Sequence, residues 1–360
     1  MQQQSQHTLL FTGAYAEADQ TGICVYAVDE ASGELQLLDE VSGIKNPTFL
    51  NVDPAAKRLY AIGEISDQGN KAAEIVTFEI QPDTGKLKEL SRVRSVSSST
   101  CHIQRDEGSS YLIVSSYHGG LVGVHRINED GTAGELLDEK KHAELVRVRE
   151  DQQPRAHSAF YSPDGRYIFV QDLGLDKIMS YTLDSEHGQL RFHGETQLED
   201  GVGPRHLAFH PGGGYAYVIN ELNSSVTTLR YSSEDGRLTP LETISTLPSD
   251  FEGESSCAEI AVSSDGRTVY GSNRGHDSIV VFTVHQDSGL LSPVQYISTE
   301  GGHPRHFSLL PGGKHLVAAN RDGNNLVLFT VDPEDGKLTF TGYTVSQSKP
   351  VCVKPAVFNR

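Results

Sequence analysis

The feature that most constrains this chain is a phrase that returns about every 50 residues. Its fullest copy is GPRHLAFHPGGGYAYVINEL, Gly203 to Leu222. Leu207 and Phe209 alternate with Ala208 before Pro211 and three glycines, and Tyr215, Tyr217 and Ile219 alternate with smaller residues after them. That pattern reads as strand, tight turn, strand. The same phrase begins at Pro47 (PTFLNVDPAAKRLYAIGE), Cys101 (CHIQRDEGSSYLIVSSY), Pro154 (PRAHSAFYSPDGRYIFVQDL), Cys257 (CAEIAVSSDGRTVYGSNR) and Pro304 (PRHFSLLPGGKHLVAANR).

A second phrase follows each first one: an acidic or polar turn, a glycine, one residue, then leucine. It occurs at Gly33, Gly85, Gly134, Gly188, Gly236, Gly289 and Gly336. These glycines suit left-handed turn positions, where a Cβ would clash. Each repeat therefore supplies four short strands, A to D, the unit of a β-propeller blade. Seven second phrases against six first ones leave one blade incomplete. The chain ends complete it: TLLFTGAY from Thr8 matches strand B and VCVKPAVF from Val351 matches strand A. The expectation is an all-β, seven-bladed β-propeller of four-stranded antiparallel blades, closed by pairing of its N- and C-terminal strands. A ring buries both faces of each blade and removes exposed sheet ends. A pair of β-sandwiches or a β-helix is the competing architecture. Residues 1–360 form one domain, with 1–7 as a flexible tail.

Composition bounds the function. With 37% hydrophobic residues, 35 glycines, 15 prolines and no long apolar run, the chain has no membrane helix. Met1 to His7 is polar and lacks the pattern of an export signal. Cys24, Cys101, Cys257 and Cys352 are scattered without metal-type spacing, which points to reduced thiols and a cytoplasmic setting. The formal charge of −18 disfavours nucleic acid and anionic membrane as partners. An anionic substrate would need a local cluster of cations. A closed ring also allows a monomer or a weak homo-oligomer.

In this architecture the starts of the A strands and the ends of the B strands share one face near the axis. Reading them in order gives Tyr15, Asn46, Glu64, His102, His118, Arg155, His157, Asp172, Arg205, His206 and Glu221. The ring continues with Glu259, Asn273, Arg274, His276, Arg305, His306, Asn320 and Arg321. Basic and imidazole groups are dense there although the chain is acidic, which is how separate blades build one pocket. Bland readings compete at each position. Arg205 and Glu221 also make sense as a cross-strand ion pair, His206 as a hydrogen-bonded structural histidine, and Arg305 with His306 as a relic of the repeat. His210, beside the opposite turn, reads as structural. No His-Glu-x-x-His, P-loop, Gly-x-Ser-x-Gly or EF-hand spacing occurs, so nothing argues for a metal, a nucleotide or a serine hydrolase.

The segments 203–211, 217–222 (YVINEL) and 273–279 (NRGHDSI) make the chain resemble the seven-bladed propeller lactonase family, over essentially its whole length. That family includes the cycloisomerase-2 type of 6-phosphogluconolactonase and the fungal carboxy-cis,cis-muconate cyclase. The resemblance implies hydrolysis of a small anionic sugar-phosphate lactone, 6-phospho-D-glucono-1,5-lactone, in the oxidative pentose phosphate pathway, with no cofactor or metal. By motif, the catalytic groups proposed for the muconate cyclase fall on His157, Arg205, Glu221 and Arg274. Arg155, His206, Asn273, His276, Arg305, His306 and Arg321 are then candidate substrate-binding residues, with Arg274, Arg305 or Arg321 as the phosphate ligand. Pro-Arg-Ala-His departs from the Pro-His-x-His of bacterial relatives, Arg155 standing where that pattern has a histidine. A muconate-type cyclase or another lactonase is the alternative enzyme. A scaffold for protein partners is the non-enzymatic one, disfavoured because Trp-Asp and kelch propellers carry recurring tryptophans and this chain has none.

Overall fold

The computed structural model describes residues 6–67 and 69–359. Among them, 28 strands form seven four-stranded antiparallel sheets, and one short helix, His142–Leu145, interrupts the chain between the third and fourth. The innermost strands are Pro350–Asn359, Leu50–Asp53, His102–Arg105, Ala156–Tyr161, Pro204–Phe209, Ser256–Val262 and Pro304–Leu309. Each touches the next around the circle, and the first touches the last. The expected seven-bladed propeller is the fold.

Closure occurs where the sequence places it. Pro350–Asn359 runs antiparallel to Gln6–Ala14, with Leu10 opposite Pro355 and Thr12 opposite Val353. Gln6 and His7 belong to this ladder, facing Asn359 and Phe358, so the paired chain begins earlier than a tail over 1–7 allows. Residues 1–5 of that expected tail lie outside the described residues.

Burial is greatest at the second strands and falls off toward the rim. Second strands such as Tyr111–Ser116 and His315–Asn320 are buried on both faces. They lie between two neighbouring blades, which is why they read as continuous apolar runs. Outer strands such as Arg237–Ser245 are largely exposed. The contacts between blades are the core: Tyr217, Ile219 and Val226 of one blade pack with Ile260, Val280 and Phe282 of the next.

Tyrosines add a polar tie. Tyr217 donates its hydroxyl to the Gly289 carbonyl at 2.9 Å and Tyr270 to that of Gly336 at 2.8 Å, each bonding a turn of the following blade. Those turn glycines are doubly required. Gly289 has φ 72°, and a Cβ there would lie 2.5 Å from the Tyr215 ring. Six of the seven glycines in the second phrase take positive φ; Gly134 does not, because its turn places Gly131 in that conformation instead.

Candidate active site

The residues that face the axis are selected by a local irregularity. In five blades the ladder between the first and second strands slips by one residue. Three of these slips, between Ala156 and Ser158, Pro204 and His206, and Pro304 and His306, skip His157, Arg205 or Arg305. A β-bulge of this kind leaves one residue unpaired and re-aims its side chain. Cys101 occupies the corresponding place before His102, since His102 pairs with Ser115 as His206 pairs with Ile219. Four blades thus present Cys101, His157, Arg205 and Arg305 from equivalent positions.

His157, Cys101 and Arg305 line a cavity of about 210 Å³ on the axial mouth, with Glu221 and Glu64 as its carboxylates. Tyr15, Tyr117 and His118 close its sides, and Thr48, Ser99 and Thr100 complete the wall. Arg205 and Arg274 are buried behind Glu221: Arg205 Nε and Arg274 Nη2 each stand 3.0 Å from Glu221 Oε2. The Arg205 contact lies off the N–H direction and is a charge contact rather than an aligned hydrogen bond. Both guanidiniums are also held by backbone, Arg205 by the Ala258 carbonyl at 2.5 Å and Arg274 by the carbonyls of Cys257 and Ser256. Arg305 is different. Among the described residues it has no ion-pair or hydrogen-bond partner, and its guanidinium lies 5.5 Å over the Tyr15 ring.

Electrostatics follows from this arrangement. Burial pushes the Glu221 carboxyl up, but Arg274, Arg205 and Arg305 outweigh it and hold Glu221 below the usual carboxylate range. Burial pushes Arg205 down to about 9, helped by Arg274 and Arg305 and opposed by Glu221 and Glu259, so it stays cationic at neutral pH. His157 is held well below the ordinary imidazole value, first by burial and then by Arg205, His206 and Arg305. It is therefore neutral at pH 7. Its Nδ1 is buried without a partner, so Nε2 is the nitrogen it offers to the cavity. Burial raises the Cys101 thiol to about 11, which leaves it protonated and not a thiolate nucleophile. Three guanidiniums and two carboxylates leave this mouth net positive on a chain of formal charge −18.

Several expected site residues lie elsewhere. His206 and His306 sit one layer below, where Glu259 faces both at 3.1 Å. Asn273 is fully buried and bonds Ser278 of its own blade and Thr246, which is tied to Ser224 of the preceding blade. His276 contacts Ser278 at 2.6 Å and the Phe251 ring, away from the cavity wall. Arg321 is held by both oxygens of Asp322 and lines a separate, shallower cavity. Arg155 stacks 4.7 Å from the Tyr117 ring and bonds Gln153, so it buttresses the wall from outside. Asp172, read as part of the polar ring, accepts the amides of Arg155, Gly174 and Leu175 and a 2.5 Å contact from the buried His142. Its task is to hold a turn. Sequence reasoning missed Thr48, Ser99, Thr100, Cys101 and Tyr117 as wall residues; Ser99 and Thr100 precede the repeated phrase, and Thr48, Cys101 and Tyr117 sit at its ends without a motif. Among the described residues, no group of three or more metal-ligating side chains is placed to hold a metal ion.

Comparison with known proteins agrees with this architecture. A family model described as "Lactonase, 7-bladed beta-propeller" matches residues 9–355. A 6-phosphogluconolactonase of Bacillus subtilis is 36% identical over 344 residues, covering 96% of this chain and 97% of the relative. One from Formosa agariphila is 33% identical, covering 86% and 88%. The structure of a periplasmic gluconolactonase from Pseudomonas aeruginosa superposes with a TM-score of 0.89 at 29% identity, covering 98% of this chain and 99% of that one.

Proposed function

The chain belongs to the seven-bladed β-propeller lactonase family, and we propose that it hydrolyses 6-phospho-D-glucono-1,5-lactone to 6-phosphogluconate, in the cytoplasm and within the oxidative pentose phosphate pathway. The observation that carries this reading is the convergence of a neutral imidazole, a clamped carboxylate and an unpaired guanidinium on one small cavity. No helix in the described residues is long and apolar enough to cross a membrane.

Opening a lactone requires a base for water, stabilisation of the carbonyl oxygen as it becomes anionic, and an acid for the departing ring oxygen. In the proposed reaction, Nε2 of His157 takes the proton of a water that attacks the lactone carbonyl. The oxyanion forms in the positive field of Arg205 and Arg274. The carbonyl reforms as the bond to the ring oxygen breaks, and His157 returns its proton to that oxygen. Glu221, kept ionised by its two arginines, is a weak base but a firm acceptor for a substrate hydroxyl or the attacking water. Arg305 takes the phosphate, which carries about −1.5 to −2 at neutral pH and suits a bidentate guanidinium. The phosphate duty falls to Arg305 because Arg274 and Arg321 are already committed to carboxylates. The proposed chemistry uses no metal.

The test is a coupled assay in which a dehydrogenase consumes 6-phosphogluconate as it forms, with spontaneous opening subtracted. Acceleration of the phosphorylated lactone over glucono-1,5-lactone is expected. No acceleration, or turnover of carboxymuconate instead, would overturn the reading.

A further inference from the structure

Directly beneath the cavity lies a second, buried layer of ionisable groups that the reaction above does not use. His206 directs Nδ1 at both oxygens of Glu259, at 3.2 and 3.1 Å. Both side chains are almost fully buried. A carboxylate only accepts, so the His206 proton sits on Nδ1 and Nε2 is left with its lone pair. That Nε2 is buried and has no partner. The nearest imidazole on the cavity side is His157, with ring centroids 5.2 Å apart and planes at 64°. Its own orphan is Nδ1. An unpaired acceptor and an unpaired ring nitrogen thus belong to neighbouring rings in the buried interior, where leaving either unmatched is costly.

We propose that Glu259 and His206 are positioning residues that form a carboxylate–imidazole–imidazole array with His157. Glu259 fixes the proton of His206 on Nδ1. His206 Nε2 then accepts the Nδ1 proton of His157, which leaves His157 Nε2 as the lone pair facing the cavity. One buried carboxylate therefore sets two tautomers in series and stabilises the imidazolium that forms when His157 takes a proton from water. Contacts of this kind are commonly long in a ligand-free enzyme and tighten with substrate. The logic is that of a serine-protease triad with an imidazole inserted.

The surroundings single out this path. His306 also approaches Glu259, with Nε2 at 3.1 Å, but off the N–H direction, and no ring contact links it to His157. His102 lies 5.6 Å from His206, farther than His157, and its Nδ1 already accepts the amide of Ala159. The charged and titratable groups near His157 are Arg205, His206, Arg305, His102, Cys101 and Tyr117, with Tyr15, Glu64, His118 and Glu221 lining the same cavity. None of these anions lies behind His157, so Glu259 is the one that reaches it through His206.

The inference rests on His157 acting as the base, but the array is testable without turnover. Nitrogen-correlated NMR of the free, full-length protein at pH 7.5 should show His206 and His157 both protonated on Nδ1. In Glu259→Gln the tautomers should mix, kcat should fall about 10²-fold with KM little changed, and the acid limb of kcat/KM should move to lower pH. His206→Gln should give the same limb shift. A merely structural role would lower the melting temperature but leave the limb and the tautomers in place. If His157 carries its proton on Nε2 in the wild type, or if the limb and kcat are unchanged in folded Glu259→Gln, the array is wrong. Wild-type protein that holds these tautomers yet opens no lactone would support the array and remove the hydrolytic reading.

Discussion

Arg305→Ala separates substrate anchoring from catalysis. Among the described residues Arg305 has no carboxylate or backbone hydrogen-bond partner, so its removal strands no paired charge. What disappears with the guanidinium is its stacking over the Tyr15 ring at 5.5 Å, about 0.5–1 kcal/mol for a partly exposed pair. The fold should hold, with urea melts showing destabilisation below about 1 kcal/mol. Binding is another matter. A guanidinium that meets a phosphate makes charge-assisted hydrogen bonds, each about 1.5–3 kcal/mol. Taking about 2–3 kcal/mol for this half-buried site, kcat/KM for the phosphorylated lactone should fall roughly 30- to 150-fold, mostly through KM. Glucono-1,5-lactone lacks the phosphate, so its kcat/KM should change by less than about 3-fold. Arg305→Lys keeps the charge but not the fork and should recover part of the binding. Both lactones can be followed by acid release in weak buffer, which needs no coupling enzyme. Equal effects on the two substrates would refute the phosphate assignment and move Arg305 to the reacting carbonyl.

Glu221→Gln should cost about 10² or more in kcat and also about 2–3 kcal/mol of stability, because Arg205 and Arg274 then lack their carboxylate in a largely buried site. Unchanged rate and unchanged urea midpoint together would remove Glu221 from both roles. Acid should unfold the protein early. Burial is the largest cause holding His102, His157, His206 and His306 below the usual imidazole value, His306 at about 3. The unfolded chain therefore binds more protons below about pH 6.5, and each imidazole removes stability at up to about 1.4 kcal/mol per pH unit as pH falls. Urea midpoints that are flat from pH 7 to 5 would contradict this. Gly289→Ala should cost more than about 2 kcal/mol, from left-handed strain plus the clash with Tyr215. Gly213→Ala, with φ 79° and nothing within 4 Å, should cost only the strain of about 1–2 kcal/mol, and equal destabilisation of the two variants would deny the packing contribution.

The architecture was legible because it repeats. Alternating apolar residues, a turn glycine and a leucine recur often enough that seven blades and their closure could be counted. The site was legible only as a region. Which residue of Pro-Arg-His turns to the mouth depends on a slip in the ladder, and a one-residue slip changes the face a side chain occupies. Arg205 and His206 therefore read as equals, yet one meets Glu221 and the other Glu259 a layer below. Asn273 and Asp172 looked like site residues because strand ends are polar, whereas both are consumed by structural hydrogen bonds, Asp172 to turn amides of its own blade and Asn273 to Ser278 and Thr246. Ser99 and Thr100 were invisible because the wall they build comes from a linker whose course no local pattern dictates.

The pairing of Gln6–Ala14 with Pro350–Asn359 does more than close the ring: it assembles one wall of the mouth. Tyr15 directly follows one partner strand and bonds the carbonyl of Lys349, which directly precedes the other. Arg305, which stands over Tyr15, arrives in the last complete repeat. On the ribosome, six sheets can form in order of emergence, while the opening hairpin waits with an unfilled hydrogen-bonding edge. Arg305 and Tyr15 meet at the mouth only once Pro350–Asn359 has paired with Gln6–Ala14. Until that pairing forms, the ring is an open arc whose first hairpin keeps an unpaired edge, free to join another chain.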